Sequence, residues 1–324
     1  MAIIDKPSDY FETKLYTGNG GTQSITGLDF QPDWVWIKDR DDTYKQMLVD
    51  SVRGATKHLS SNSDAAEITN TANVTSFTSD GFALSSDGNV NANADKYASW
   101  NWKESATAGF DIVSYSGTGS AKTVSHNLGV KPDVIICKSR SGAEEWRVYS
   151  SYLGATKALR LNGTNAEDTD SGYWNNTEPT SSVFTVGTNG GTNGNGVTFI
   201  AYCFASVKGY SKFGSYTGNN NANGTFVYTG FKPAFVMIKR TSDTQGWVMW
   251  DNKRPGFNVT NQSLTANETS AEETGRIFDI LSNGFKMRDT NTATNAASTY
   301  IYFVFAENPF VTSTDNGSIP ATAR

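Results

Sequence analysis

The chain has 324 residues, of which 37% are hydrophobic, 18% are charged and 12% are aromatic, and its formal net charge is -5. This charge excludes an extended nucleic-acid track, which needs clustered Lys and Arg to neutralise phosphates. Gly, Asn, Ser and Thr are abundant while strong helix formers are few, and this balance favours short strands joined by polar turns. We therefore predict an all-β fold.

The N-terminal stretch, residues 1–14, has too little apolar content to fold alone. We predict that it is a docking arm for a larger assembly. The chain has no run of about 18 apolar residues, the length that a membrane span requires. We therefore expect neither a signal peptide nor membrane insertion.

An internal repeat of roughly 100 residues follows this arm. Its landmarks are an aromatic residue that opens a Gly-containing turn (Tyr16, Tyr115, Tyr216), a proline before a strand (Pro32, Pro132, Pro233) and a closing aromatic run (Trp100, Tyr202, Phe303). The landmarks predict three tandem β modules at 15–104, 111–206 and 212–308, and a C-terminal segment at 309–324. We refer to these modules as the first, second and third copies.

Alternation of side chains within the copies predicts how their strands are buried. The run after the first proline puts Trp34 and Trp36 on one face and Val35 and Ile37 on the other, and such a run suits a central strand covered on both sides. A sandwich is the economical arrangement, with about six strands in each copy. Contacts between neighbouring copies are expected to add stability.

Two sets of residues inside these strands have simple interpretations. Lys38, Lys138 and Lys239 recur at equivalent strand ends, where we expect a lysine to mark the exit of the strand into solvent. Cys137 and Cys203 lie within apolar runs, and this position predicts buried free thiols rather than a disulfide.

The sequence gives no sign of a catalytic centre. The two histidines, His58 and His126, occupy unrelated positions in the first and second copies. The carboxylates of residues 39–42 lie in a turn-like segment without the spaced ligands and glycine of a calcium loop. We predict that the chain is not an enzyme and has no catalytic residues, metal site or cofactor.

A polar insertion peculiar to the second copy contains the best candidates for ligand binding, Tyr173 and Trp174. Exposed aromatic rings stack on sugars while nearby Asn and Asp groups bond the hydroxyls. The alternative is that the two rings form a local cluster that closes a long loop.

Several strings near the two ends of the chain resemble a family of tandem-repeat proteins of tailed bacteriophages, many of them marine, that are grouped with structural or tail-fibre proteins, and the second and third copies keep the pattern more loosely. The strings are DKPSDYF at 5–11, YTGNG at 16–20, GLDFQPDWVWIK at 27–38, DSVRG at 50–54, ENPF at 307–310 and IPATAR at 319–324. The resemblance carries no known chemistry, so it transfers no active residues.

The resemblance implies a virion surface protein that is assembled in the host cytoplasm, with other virion proteins as partners. We expect a tail-fibre or spike component whose loops bind the host surface, with a host cell-surface glycan or protein as the ligand. The alternatives are a structural head decoration or tail and baseplate accessory protein and, third, a polysaccharide depolymerase. A homotrimer is expected only by analogy with three-fold fibres.

Overall fold

A computed structural model describes residues 3–312, and it confirms the all-β prediction. The chain begins with a 3-10 turn, Pro7–Asp9. The first copy begins at Phe11 and not at residue 15, so the end of the predicted docking arm is part of the first sheet. This copy contains β1 (Phe11–Thr17), β2 (Gln23–Ile25), β3 (Trp34–Asp39), β4 (Met47–Asp50), β5 (Lys57–Leu59), β6 (Ile68–Thr69), β7 (Val74–Thr78), β8 (Gly81–Leu84), α1 (Gly88–Asn91) and β9 (Lys96–Trp102).

The second and third copies repeat this order with local differences. The second contains β10 (Phe110–Ser116), β11 (Lys122–Ser125), β12 (Val134–Ser139), β13 (Arg147–Ser150), β14 (Lys157–Arg160), β15 (Asp168–Thr169), α2 (Ser171–Trp174), β16 (Val183–Val186), α3 (Gly190–Asn193) and β17 (Thr198–Phe204). The third contains β18 (Ser211–Thr217), β19 (Phe226–Tyr228), β20 (Phe231–Arg240), β21 (Val248–Asp251), β22 (Thr260–Thr265), β23 (Glu273–Leu281), β24 (Gly284–Met287) and β25 (Thr299–Pro309).

Each copy builds one large antiparallel sheet with an equivalent strand order. The orders are β1-β9-β3-β4-β5-β6, then β10-β17-β12-β13-β14-β15, and then β18-β25-β20-β21-β22-β23-β24-β19. Smaller sheets, β2-β8-β7 and β11-β16, accompany the first two, whereas the third large sheet continues into the corresponding strands. The short strands of these smaller layers are additional to the six that the sequence predicts.

The strand after the proline is central in its sheet, as predicted. β3 lies between β9 and β4, and all of its residues are buried. Trp34 and Trp36 join one hydrophobic core, whereas Val35 and Ile37 join another on the opposite face, with β2 and β8. Each large sheet is therefore covered on both sides.

The three large sheets share a single central core. Trp34 of the first copy stacks on Tyr202 of the second with ring centroids 4.4 Å apart, and Phe11 stacks on Phe305 of the third at 5.2 Å. Phe204 of the second copy contacts Phe305 of the third at 5.8 Å. Each such aromatic pair contributes about 0.5–1.5 kcal/mol beyond its buried area. The copies stabilise one another through this core, and each sheet's other face has its own smaller core.

Equivalent hydrogen bonds close the three copies into a ring. The bonds join Glu67 N to Arg140 O (2.8 Å), Glu167 N to Thr241 O (2.7 Å) and Glu272 N to Arg40 O (2.8 Å). They pass from the first copy to the second, from the second to the third and from the third back to the first. The arrangement is a pseudo-threefold ring within one chain, and we call the three contacts seam 1/2, seam 2/3 and seam 3/1.

The ring has two distinct ends. The antiparallel register places Phe11, Trp34 and Trp102 together at one end of the first sheet. The connections between copies, residues 103–109 and 205–210, lie at this linker end, and so do both described chain ends: Ile4 N donates to Lys208 O, and Pro309 lies beside Gly209. The opening turns at 18–22, 117–121 and 218–225 lie at the opposite, turn end.

The expectation for the repeated lysines is wrong. Lys38, Lys138 and Lys239 are fully buried, and each ammonium donates to main-chain carbonyls. Two of the ammonium groups also bridge copies, since Lys138 Nζ reaches Asp64 O at 3.0 Å and Lys239 Nζ reaches Thr164 O at 3.1 Å. Loop carbonyls of the neighbouring copy cover the ends of the strands that carry Lys138 and Lys239, so these lysines lie at contacts between copies and not in solvent. Cys137 and Cys203 are buried free thiols, as predicted.

Candidate functional site

The turn end presents three equivalent polar turns that a buried asparagine holds in place. These asparagines, Asn91, Asn193 and Asn295, are fully buried. In the third copy, Asn295 Nδ2 donates to Asn221 O at 2.8 Å and Asp289 O at 2.6 Å, and its Oδ1 accepts from Asn219 N at 3.2 Å. The equivalent turns of the other copies make the same kind of contact.

Local sequence explains why the asparagine reaches the turn. In the first two copies a single helical turn precedes it, capped by the side chain of Asp87 or Asn189, which accepts the first free backbone N–H. Asn91 and Asn193 are the last residues of these helical turns. Their side chains are thereby delivered from a rigid element.

The opening turn of the third copy is the longest of the three and the most exposed. It spans residues 218–225, against 18–22 and 117–121 in the other copies, and its outer residues 219–223 are all exposed. The side chains of Asn219 and Asn221 accept backbone N–H groups within the turn, whereas Asn220 and Asn223 give it exposed amide donors and acceptors. An anchored base with a variable exposed tip is suited to ligand contact.

The seams carry charge buried between copies. In seam 1/2, Arg140 donates to both carboxylate oxygens of Glu67, at 2.9 and 3.0 Å, and Arg53 joins the same carboxylate at 3.4 Å. Arg53 also pairs with Asp50, whose carboxylate accepts from the Tyr202 hydroxyl at 2.7 Å.

Seam 3/1 repeats this network. Arg40 donates to both oxygens of Glu272 at 2.9 and 3.0 Å, and Arg254 donates to the same carboxylate at 2.7 Å. The indole of Trp100 donates to Asp251 at 3.1 Å, as Tyr202 does to Asp50. Burial opposes ionisation of Glu272, but Arg40 and Arg254 hold its pKa below the ordinary value. These groups stabilise the contact between copies.

Seam 2/3 differs and contains an open cleft. Leu153 and Thr241 occupy the positions of the two arginines, and Ser150 and Phe303 occupy those of the buried Asp and its donor. A cavity of about 390 Å³ lies here. Its lining consists of Tyr152, Leu153, Lys157, Glu167, Thr241, Ser242 and Thr299.

The structure places the predicted ligand-binding residues inside the second copy. Tyr173 is 2% exposed and Trp174 is 1% exposed, and both belong to the core of that copy. The Tyr173 hydroxyl donates to Asp168, the Trp174 indole donates to Lys157 O at 3.1 Å, and the Arg147 guanidinium lies over the Tyr173 ring. Burial and the Asp168 carboxylate raise the pKa of Tyr173 to about 12. The expectation that these rings are exposed is wrong, and they form the local cluster that closes the insertion.

Sequence reasoning missed several exposed aromatic rings, three of which lie on a sheet edge or beside a cleft. Phe226 and Tyr228 lie on the same face of the edge strand β19, with exposures of 44% and 53%, and Tyr152 is 51% exposed beside the seam 2/3 cleft. The alternation of Phe226, Val227 and Tyr228 indicated this arrangement. Successive side chains of a strand lie on opposite faces, so when Val227 is buried the two rings lie on the exposed face.

The two histidines lie apart, as their sequence positions indicate. His58 pairs with Ile68 in the first sheet, whereas the His126 imidazole contacts Thr180 O. Burial lowers the pKa of both. Within residues 3–312, no group of three or more His, Cys, Asp or Glu side chains is placed to hold a metal ion, and no helix has the length and apolarity to cross a membrane.

A family profile described as "Domain of unknown function (DUF7483)" matches residues 6–309. The chain belongs to this family. The DUF7483 match spans all three copies as one unit, in agreement with their shared core. No curated protein matches the chain.

Proposed function

We propose that the chain is a bacteriophage virion surface protein, a tail-fibre or spike component that displays turns for binding to the host surface. The observation that carries the proposal is that the two ends of the ring differ. Both described chain ends and both inter-copy connections lie at the linker end, whereas the anchored polar turns lie at the other. Attachment at one end leaves the opposite end free to meet a ligand.

The rigidity of the ring supports the same function. Three sheets around one core fix the relative positions of the three turns, and the buried asparagines fix each turn on its sheet. A rigid scaffold lowers the entropic cost of ordering a binding surface. Residues at the tips of the turns can vary without disturbing the cores.

The ligand class that suits these turns is a polysaccharide or a polar protein surface. The third turn offers several amide side chains, which bond hydroxyl groups as both donors and acceptors. It offers no apolar patch of the kind that a hydrophobic partner requires. The host cell-surface glycan is therefore the ligand that we propose.

The test is binding of the labelled chain to an array of bacterial polysaccharides and to host cells, together with immunogold imaging of the virion. We expect saturable binding that is lost when residues 219–223 are replaced by Gly and Ser. The variant Tyr228→Ala, altered at the linker end, is the control and should bind as the wild type does. Labelling confined to the capsid lattice without glycan binding would indicate a head decoration, and release of reducing sugar ends would indicate a depolymerase.

A further inference from the structure

Seam 2/3 lacks the two arginine side chains that the other two seams share. In the other two seams a carboxylate receives two arginine side chains, one from each of the copies that meet there. The equivalent carboxylate in seam 2/3 is Glu167, which sits in the same frame because its backbone N–H donates to Thr241 O at 2.7 Å. Both arginine positions are occupied there by uncharged residues, Leu153 and Thr241.

Glu167 retains the capacity to accept a cation. The Oε1 atom of Glu167 pairs with one cation, the ammonium of Lys157. The equivalent Glu67 has three cations around it: Lys57 at 4.0 Å and the two arginines. A carboxylate has about four acceptor positions on its two oxygens. The Glu167 side chain is 25% exposed, about twice the 12% of Glu67 and Glu272, so it can be reached from solvent.

We propose that the seam 2/3 cleft binds the guanidinium group of an arginine side chain that a partner protein supplies. The guanidinium would lie where Arg140 and Arg40 lie in the other seams, and donate in parallel to the two oxygens of Glu167. The polar residues Ser242 and Thr299 also line the cleft.

The geometry distinguishes a guanidinium from other cations. Both occupied seams use a planar, two-pronged donor with contacts of 2.9 and 3.0 Å, and a single ammonium cannot reproduce this pairing. Tyr152, 51% exposed at the margin of the cleft, adds an aromatic face on which a guanidinium stacks.

The experiment is a calorimetric or NMR titration of the full chain with Nα-acetyl-arginine amide. We expect saturable binding that weakens by roughly tenfold or more in Glu167→Gln, because the paired acceptor becomes a neutral amide. Thr241→Arg should abolish binding, since the chain's own guanidinium would fill the cleft as Arg140 does in seam 1/2. Ser242→Arg provides a second way to fill the cleft if Thr241→Arg does not fold.

Two controls complete the design. Nα-acetyl-lysine amide should bind at least several-fold more weakly, and Glu145→Gln, outside the cleft, should leave arginine binding unchanged. The proposal is overturned if the arginine probe does not saturate, if Glu167→Gln binds it as well as the wild type, or if the lysine probe binds equally well. Glycan binding at the turn end is measured separately, so failure of either proposal leaves the other intact.

Discussion

The tyrosine and the glycine that open each copy have different tasks in the same turn. The hydroxyls of Tyr16 and Tyr115 donate to the carbonyls of Val90 and Thr192, at 2.7 and 2.6 Å. The glycine allows a close approach of two backbone segments, because a Cβ added at Gly218 would lie 2.1 Å from Ala296 O. The repeated motif is therefore a structural requirement of the turn, and the exposed residues that follow it are free to differ.

Replacement of a buried anchor should loosen one turn. We expect Asn295→Ala to destabilise the chain by about 1–3 kcal/mol, because it removes the side-chain donor to Asn221 O and Asp289 O and leaves these carbonyls without it. Hydrogen exchange of the amides in residues 218–225 should accelerate. The control Asn223→Ala changes an exposed side chain and should stay within roughly 0.5 kcal/mol of the wild type. Unchanged exchange in Asn295→Ala would show that the turn does not depend on its anchor.

The buried lysines predict a pH dependence of stability. Burial lowers the pKa of Lys38, Lys138 and Lys239 to about 8. The unfolded chain then binds more protons than the folded chain from about pH 8 up to the ordinary lysine pKa, so these groups make stability rise with pH in that range. The penalty of the buried charge is fully present below pH 8.

The measurement is the free energy of unfolding in urea between pH 7.5 and 9.5, for the wild type and for Lys138→Met. The variant should lose part of the positive slope, because one of the three groups is gone. It should also be less stable at every pH, by about 1–3 kcal/mol, because the carbonyls of Asp64 and Ser139 lose their donor. Equal slopes in the two proteins would contradict the assignment.

At the scale of the strands, the two kinds of seam are alternative solutions to one packing problem. Seams 1/2 and 3/1 bury an Asp, an Arg and an aromatic hydrogen-bond donor on the facing strand. The equivalent positions in seam 2/3 hold Ser150, Leu153 and Phe303. A buried ion pair is costly to break but replaceable by apolar groups of similar volume. Replacing only the Asp or only the Arg would leave the other charge buried without its partner, whereas seam 2/3 lacks both charges.

This set can be transplanted into seam 1/2. Arg53→Leu alone should destabilise the chain by about 3–5 kcal/mol, since the buried Asp50 carboxylate loses its cation. The triple variant Asp50→Ser, Arg53→Leu, Tyr202→Phe should recover most of this loss, because it reproduces the residues of seam 2/3. Urea unfolding of both variants checks the prediction, and a triple variant no more stable than the single one would refute it.

At the scale of the whole molecule, the shared core makes the ring the unit of folding. Each large sheet presents one aromatic face to the centre, and that face is covered only when the other two sheets are present. Exposing such a face costs about 25 cal/mol for every Å² of apolar surface. The three copies therefore depend on one another, unlike independent domains on a string.

The full chain should consequently unfold in one cooperative transition. Calorimetry should give equal van't Hoff and calorimetric enthalpies, and the isolated second copy, residues 111–206, should lack a cooperative transition. The ring already supplies a threefold arrangement within one chain, so its stability should not depend on protein concentration, and unfolding at several concentrations tests this. Sedimentation tests the separate expectation of a homotrimer. Three resolved transitions, or a stably folded isolated copy, would show that the copies are independent.

The sequence by itself determined the all-β class and the central strand after the proline. These follow from local chemistry: alternation of apolar side chains, turn residues and the position of Pro32 are read within a few residues of one another. The free thiols were predictable for the same reason, because Cys137 and Cys203 lie within apolar runs.

Only the tertiary structure decided the closure of the ring, the burial of the lysines and the position of the cleft. The sequence around Lys138 predicted an exposed strand end, because its carbonyl partner, Asp64, belongs to another copy. Tyr173 and Trp174 gave the pattern of an exposed loop because the polar residues around them conceal the core into which they fold. Contacts between residues roughly 100 positions apart leave no local pattern, since their free energy depends on how the sheets face one another.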